Sequence, residues 1–143
     1  MTLFIQEFRR ANAASIVAVA GIPGKPRDFF QFGTVFVADY LITQGIQLNS
    51  QQVGRAQGFF ATSSLDGANL QLLFSLGFTN KEYNGSTLEL QGTSVQLAKV
   101  REIAVVSGTR KFRFVKGYAT LETIQQPSMD YSVRRFNITI RQC

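Results

Sequence analysis

The amino-acid sequence predicts an all-β fold: an eight-stranded antiparallel up-and-down β-barrel that occupies residues 1–143 as a single domain. Three observations favour this fold class. Short runs rich in Phe, Val, Ile, Leu and Thr recur along the chain, and Gly, Pro, Asn and Asp separate them. No long segment has helical periodicity with capping residues. Strands joined by short turns can close into a barrel, which removes the exposed edges of the sheet.

The strand-like runs follow one another closely. They lie at about 2–10, 32–42, 52–62, 69–79, 86–92, 100–106, 111–124 and 129–142. The breaks contain the segments AGIPGKPRD, TQGIQLNS, SSLDGAN, NKEYNG, VVSGTRK and IQQPSMD. Gly tolerates positive φ, Pro presets φ, and Asn or Asp side chains bond to their own backbone, so each break carries turn chemistry.

The second run, TVFVADYLI, is apolar on both faces of the predicted strand. Val35, Val37 and Asp39 alternate with Phe36 and Tyr40. A barrel with a hydrated exterior should instead alternate apolar and polar residues. We therefore expect the outer face to be covered by other copies of the chain in a homo-oligomer; the alternative is that the strand boundaries lie elsewhere.

The third run contains the unusual stretch VGRAQGFF, with two glycines inside a strand. Gly54, Ala56 and Gly58 share one face and leave it nearly bare, whereas Arg55 lies on the other. Glycine inside a strand indicates a sharp bend or the close approach of another group. The bare face predicts either space for a flat aromatic ligand or the close approach of a neighbouring strand. We expect a structural role for Arg55.

Four ionisable residues interrupt apolar strands: Glu7, Asp39, Glu102 and Lys116. Alternation places each of the three acids beside apolar neighbours. Such surroundings raise the pKa of a carboxyl group, and a raised pKa suits a general acid that acts near neutral pH. The alternative is that these residues are rim charges that face solvent.

Composition excludes several kinds of site. The chain has no His and a single Cys, so zinc, copper and haem sites built on those ligands and Ser-His or Cys-His nucleophile pairs are excluded, and we expect no cofactor. The net charge of +6 permits attraction to polyanions. The basic residues are scattered, so we expect no nucleic-acid partner. No apolar run reaches the roughly 18 residues of a membrane span, so we expect no membrane partner.

The ends of the chain bear on its location. The start, MTLFIQEFRR, has no signal-peptide pattern, although a mature secreted domain would look the same. The terminal Cys143 is either an inert residue or half of a disulfide whose partner lies outside this sequence. Glycosylation triplets begin at Asn84 and Asn137 and are weak evidence for secretion.

Several motifs in the same order resemble the plant dirigent protein family. They are VGRAQGFF, FGTVFVADYLIT, FTNKEYNGSTLELQG, KVREIAVVSGTRKFRFVKGYATLET and the closing NITIRQC. The resemblance extends from about Leu3 to Cys143. It implies an eight-stranded antiparallel barrel that forms a homotrimer and is secreted to the apoplast or cell wall.

The resemblance also implies a function. Dirigent proteins bind phenolic substrates or radicals, usually of the monolignol type, that a separate oxidase such as a laccase or peroxidase supplies. They guide the regio- and stereoselective coupling of these radicals and the cyclisation of the resulting quinone methides, as in lignan biosynthesis. The alternative is a barrel enzyme, an isomerase or dehydratase similar to pterocarpan synthase or allene oxide cyclase. A third possibility is a basic module that binds cell-wall polyanions.

The resemblance assigns roles to individual residues. Glu7 and Glu102 match acidic positions at which the family typically carries Asp, and Asp39 matches a third acid, so these three are the predicted catalytic residues. We expect Glu7 and Glu102 to face the barrel interior, with Asp39 near them and at least one of the pair protonated. Lys116 stands where the family often has Arg. The predicted substrate-binding residues are Lys116, Phe60, Val37, Phe114 and Tyr118.

Overall fold

A computed structural model of the chain describes residues 1–10 and 14–143. Its regular structure is nearly all strand. The strands are β1 (Thr2–Phe8), β2 (Ile16–Ala20), β3 (Val35–Thr43), β4 (Gln52–Thr62), β5 (Asn69–Phe78), β6 (Thr87–Val95), β7 (Arg101–Gly108), β8 (Val115–Ser128) and β9 (Tyr131–Gln142). One 3-10 turn, Arg110–Phe112, precedes β8. Within the described ranges, no helix has the length and hydropathy that a bilayer crossing requires.

Eight of these strands close into the predicted antiparallel barrel. Neighbours in sequence pair with each other from β3 to β9, and β1 joins the two ends. It pairs with β9 along its length, and residues 4–6 pair with residues 41–43 of β3. The all-β barrel prediction is therefore confirmed.

The additional strand, β2, was missed by the sequence reasoning. Its residues pair with the first half of β3, which β1 does not reach. The run IVAVA is only five residues long and follows small residues, so it lacks the length and turn signals that marked the other strands. It covers a stretch of β3 edge that would otherwise have unpaired backbone groups.

Alternation along β3 separates the core from the outer surface. Phe36, Ala38, Tyr40 and Ile42 are buried inside the barrel, whereas Val37 is 45% exposed on the outside. Val37 lies opposite Phe59 of β4, which in turn lies opposite Leu73 of β5.

Four apolar residues form a row on the outside of the barrel, which we call the outer apolar row: Val17, Val37, Phe59 and Leu73. They lie opposite one another across β2, β3, β4 and β5. Its four side chains are between 45% and 56% exposed. An exposed apolar row of this kind is characteristic of an association surface.

The glycines of β4 admit a neighbouring strand. A Cβ atom added at Gly54 would lie 2.0 Å from the carbonyl oxygen of Gly77, and one added at Gly58 would lie 2.1 Å from that of Leu73. The backbone of β5 thus occupies the space that a side chain would need. Of the two interpretations that the sequence left open, the close approach of a strand is correct, and it allows β4 and β5 to coil sharply around the barrel.

Candidate functional site

One end of the barrel contains a cavity of about 210 Å³. It lies where β1, β4, β6 and β8 end and where β5, β7 and β9 begin, so it is formed by residues from nearly every strand. Its lining has two chemically distinct sides, an aromatic wall and a guanidinium wall.

The aromatic wall consists of Phe29, Tyr40, Phe60 and Phe74, and four leucines also line the cavity. Phe60 is at the centre: its ring centroid lies 6.2 Å from that of Phe29 and 6.3 Å from that of Phe74, and both pairs are stacked. Tyr40 stacks on Phe74 at 5.9 Å. Parallel rings on one side of a cavity provide a flat surface against which another aromatic ring can pack.

Phe29 covers the mouth from the segment between β2 and β3. Its carbonyl oxygen accepts a hydrogen bond from Thr62 Oγ1 at 2.8 Å and another from Gln96 Nε2 at 2.5 Å. Its ring stacks on that of Phe36, near the start of β3, at 4.7 Å. These contacts hold a connecting segment firmly over the cavity.

The guanidinium wall consists of Arg9, Arg101 and Arg134, which all line the cavity. Arg9 Nε donates to Glu7 Oε2 at 2.5 Å, and Arg134 Nη2 contacts Glu7 Oε1. Arg134 also lies over the ring of Tyr40, with 5.5 Å between its Cζ atom and the ring centroid. The two arginines thus link a fully buried carboxylate to the aromatic wall.

Glu7 therefore acts as a counter-charge for the guanidinium wall. Its side chain is 0% exposed and contacts two guanidinium groups, each of which favours the ionised form of the carboxylate. Burial lowers the pKa of Arg134 to about 10, so this guanidinium still carries its charge at neutral pH. The protonation of Glu7 or Glu102 near neutral pH stays a prediction.

Arg101, the first residue of β7, is held by contacts other than those that hold Arg9 and Arg134. Its Nη1 donates to the carbonyl oxygen of Ala98 and its Nη2 to Thr123 Oγ1, each at 3.2 Å. Burial lowers its pKa, and the charge of Glu122 acts weakly in the opposite direction. Sequence reasoning missed this residue, although its place directly before Glu102 means that it must face the opposite side of the strand.

Tyr40 adds a neutral polar group to the aromatic wall. Burial raises the pKa of its hydroxyl well above the ordinary value of 10.0, against a smaller effect from the charge of Arg9. The phenol consequently stays protonated at neutral pH and can donate a hydrogen bond into the cavity. No pattern in the sequence distinguished this tyrosine from the core residues around it.

The expected interior position of Glu102 is wrong. Glu102 is exposed, because on β7 its neighbours Arg101 and Ile103 point into the barrel. The sequence correctly grouped Glu102 with Ala104 and Val106, but that face is the outer one. Since both faces of the strand contain apolar residues, alternation alone did not show which of them was inside.

Asp39 also lies outside the barrel, away from Glu7. Its carboxylate accepts from Arg55 Nε at 2.5 Å and from Gln57 Nε2 at 3.0 Å. Arg55 thus takes part in an exposed surface network on the outer face of β3 and β4. No Asp or Glu lines the cavity within residues 1–10 and 14–143.

The predicted substrate-binding residues are divided between the two sides. Phe60 is 4% exposed and lies in the cavity wall. Val37, Phe114, Lys116 and Tyr118 are all exposed and do not line the cavity. Val37, Lys116 and Tyr118 lie on the outer faces of strands that have apolar residues on both faces, as Glu102 does, whereas Phe114 precedes β8.

Comparison with known proteins identifies the family. A family model for dirigent-like proteins matches residues 1–141. Dirigent protein 11 of Arabidopsis thaliana is 36% identical over 137 residues, which cover 96% of this chain and 70% of that protein. Pterocarpan synthase 1 of Glycine max is 39% identical over 106 residues, which cover 73% of this chain and 57% of that protein.

A solved structure agrees with this assignment. The pterocarpan synthase dirigent protein GePTS1 superposes with a TM-score of 0.88 at 30% identity, over 98% of this chain and 82% of that one. The chain thus spans 57% of the Glycine max protein in sequence and 82% of GePTS1 in structure. This chain belongs to the family of dirigent-like proteins.

Proposed function

We propose that this protein binds a phenolic molecule or its quinone methide in the barrel cavity and directs the stereochemistry of the bond that then forms. The observation that carries the proposal is the pairing of an aromatic wall with a guanidinium wall around one cavity. The rings provide a packing surface for a phenolic ring. The guanidinium groups provide donors for its oxygen atoms.

The size of the cavity favours one substrate unit in each barrel. Its volume of about 210 Å³ is smaller than the ~300–1,000 Å³ of most small-molecule sites. Such a volume supports ring closure within one bound molecule, or the orientation of one radical at a time, over the enclosure of two complete phenylpropanoid units. The similarity to pterocarpan synthases points in the same direction.

The charges suit the cyclisation of a quinone methide. An internal hydroxyl oxygen forms a bond to the exocyclic carbon, and the electron pair of the exocyclic double bond moves into the ring. The ring becomes aromatic, and its carbonyl oxygen becomes a phenolate, which receives the proton that the hydroxyl group releases. Arg9 and Arg134 would stabilise the developing phenolate, and the neutral hydroxyl of Tyr40 would donate a hydrogen bond to it.

A separate oxidase, a laccase or peroxidase, would supply the radical or oxidised phenol. The protein would direct its fate without a cofactor of its own. The outer apolar row would be covered in a homotrimer. A stable interface of this kind commonly buries ~2,000 Å² or more. We further propose secretion to the apoplast, in keeping with the exposed positions of Asn84 and Asn137 in two glycosylation triplets.

The test is the chirality of the products. A laccase oxidises a monolignol with and without the protein, and a benzylic alcohol precursor of a quinone methide is incubated with the protein alone. Chiral chromatography should show an enantiomeric excess in at least one of the two reactions when the folded protein is present.

A matched pair of variants locates the effect. Phe60→Trp fills the cavity and should abolish the excess, whereas Leu65→Trp changes a side chain that is 85% exposed and should leave it intact. Racemic products with folded wild-type protein in both reactions, or equal losses in the two variants, would contradict the proposal.

A further inference from the structure

The charges around the cavity do not balance. Three guanidinium groups line it, and the carboxylate of Glu7 contacts two of them. Arg101 contacts a carbonyl and a hydroxyl oxygen instead. The wall therefore carries two positive charges more than negative ones. Arg101 is partly buried and has no carboxylate partner within residues 1–10 and 14–143, so an anionic group of a ligand would gain a charge-assisted hydrogen bond there.

The nearby acids do not remove this excess. Glu122 lies on the outer side of β8, where it accepts from Arg135 Nη2 at 3.1 Å. Its effect on Arg101 is smaller than that of burial. Glu102 is exposed on the outer face of β7. In the described part of the chain, only Glu7 supplies negative charge directly to the arginines of the cavity.

The arginines retain donors for a ligand. A guanidinium group has five N–H donors, and Arg101 uses two of its nitrogens for Ala98 and Thr123. The strands that carry Arg101 and Arg134, β7 and β9, both pair with β8 and are therefore two strand spacings apart. That separation of the backbones is about 10 Å. A phenyl ring with a three-carbon side chain is of comparable length.

We propose that the molecule bound in the cavity is a phenolic carboxylic acid, a ring with a three-carbon side chain that ends in a carboxylate. This inference rests on the proposed function and adds a substrate class to it. The ring packs on Phe60 and Phe74, the phenolic oxygen lies near Arg9 and Arg134, and the carboxylate bonds to Arg101. A neutral alcohol of the same shape would leave the charge of Arg101 unmatched.

Binding of two matched compounds tests the proposal. Para-hydroxycinnamic acid and para-hydroxycinnamyl alcohol differ in the carboxylate alone, and isothermal titration calorimetry near neutral pH gives both dissociation constants. The acid should bind at least about tenfold more tightly, because a hydrogen bond between charged groups is stronger than one between a charged and a neutral group.

Variants assign the preference to one residue. Arg101→Gln should bring the two dissociation constants together chiefly by weakening the acid. Arg101→Lys keeps the charge and should retain part of the preference. Arg141→Gln removes the same charge from an exposed position and should leave the preference unchanged.

The outcomes separate this inference from the proposed function. If acid and alcohol bind equally well, or if Arg101→Gln keeps the full preference, the carboxylate inference is wrong and binding of phenolics in general still stands. If neither compound binds to the folded protein, this inference is overturned, and the chirality assay then decides the fate of the proposed function by itself.

Discussion

Replacement of Glu7 by Gln distinguishes a counter-charge from a proton donor. Glu7 is fully buried and contacts Arg9 and Arg134. Gln has nearly the same shape but no charge, so the substitution leaves two guanidinium groups without their carboxylate. Removal of one partner from a buried ion pair typically costs ~3–5 kcal/mol.

That cost translates into a large change in thermal stability. For a domain of this size, 1 kcal/mol corresponds to roughly 2–4 °C in Tm, so Glu7→Gln should lower Tm by about 6–20 °C. Circular dichroism during heating measures this directly. Glu102→Gln is the control: Glu102 is exposed on the outer face, and surface substitutions usually change stability by less than about 0.5 kcal/mol.

The refuting result is specific. If Glu7→Gln unfolds at the wild-type temperature but no longer gives stereoselective products, Glu7 acts as a proton donor and its role as a counter-charge is wrong. If Glu102→Gln also alters product chirality while remaining folded, the outward position of Glu102 does not describe the active protein.

Three further changes test other parts of the structure. Gly58→Ala should destabilise the barrel by at least about 1–3 kcal/mol in urea denaturation, because its Cβ would lie 2.1 Å from a carbonyl oxygen of β5. Gly77→Ala is the control and should be tolerated, because its nearest contact is 3.9 Å away. Phe59→Asp should convert the proposed trimer to a folded monomer in light scattering; an unchanged trimer would exclude the outer apolar row from the interface. Tyr40→Phe should reduce the loss of stability above about pH 10, since the raised pKa of Tyr40 gives the folded state a contribution that is full below the ordinary value of 10.0 and is lost as the pH rises above it. Arg134, with its lowered pKa, changes stability in the opposite sense equally in both proteins. An identical pH dependence of the two proteins would contradict the burial of Tyr40.

The sequence predicted the barrel because its strands and turns carry strong local signals. The eight predicted runs correspond to the eight barrel strands. The residues of β3 were also grouped correctly into two alternating faces. The strand that the sequence did not predict, Ile16–Ala20, is short. It forms because it pairs with the half of β3 that β1 does not reach. Only tertiary structure supplies that partner.

The site was less predictable than the fold. Alternation groups the residues of a strand into two faces, but it does not say which face is inside when both contain apolar side chains. This ambiguity put Glu102 in the cavity in place of its neighbour Arg101. Arg9 and Arg134 each belong to an arginine pair, which in a sequence looks like an exposed basic patch. Their shared contact with Glu7 joins strands at opposite ends of the chain.

A crystal structure with a bound phenolic compound tests the central claim most directly. The account predicts one molecule in each barrel, with its ring against Phe60 and Phe74 and its phenolic oxygen within hydrogen-bond distance of Arg9 or Arg134. A phenolic compound bound on the outer face beside Asp39 or beside Lys116, with the cavity left empty, would contradict it.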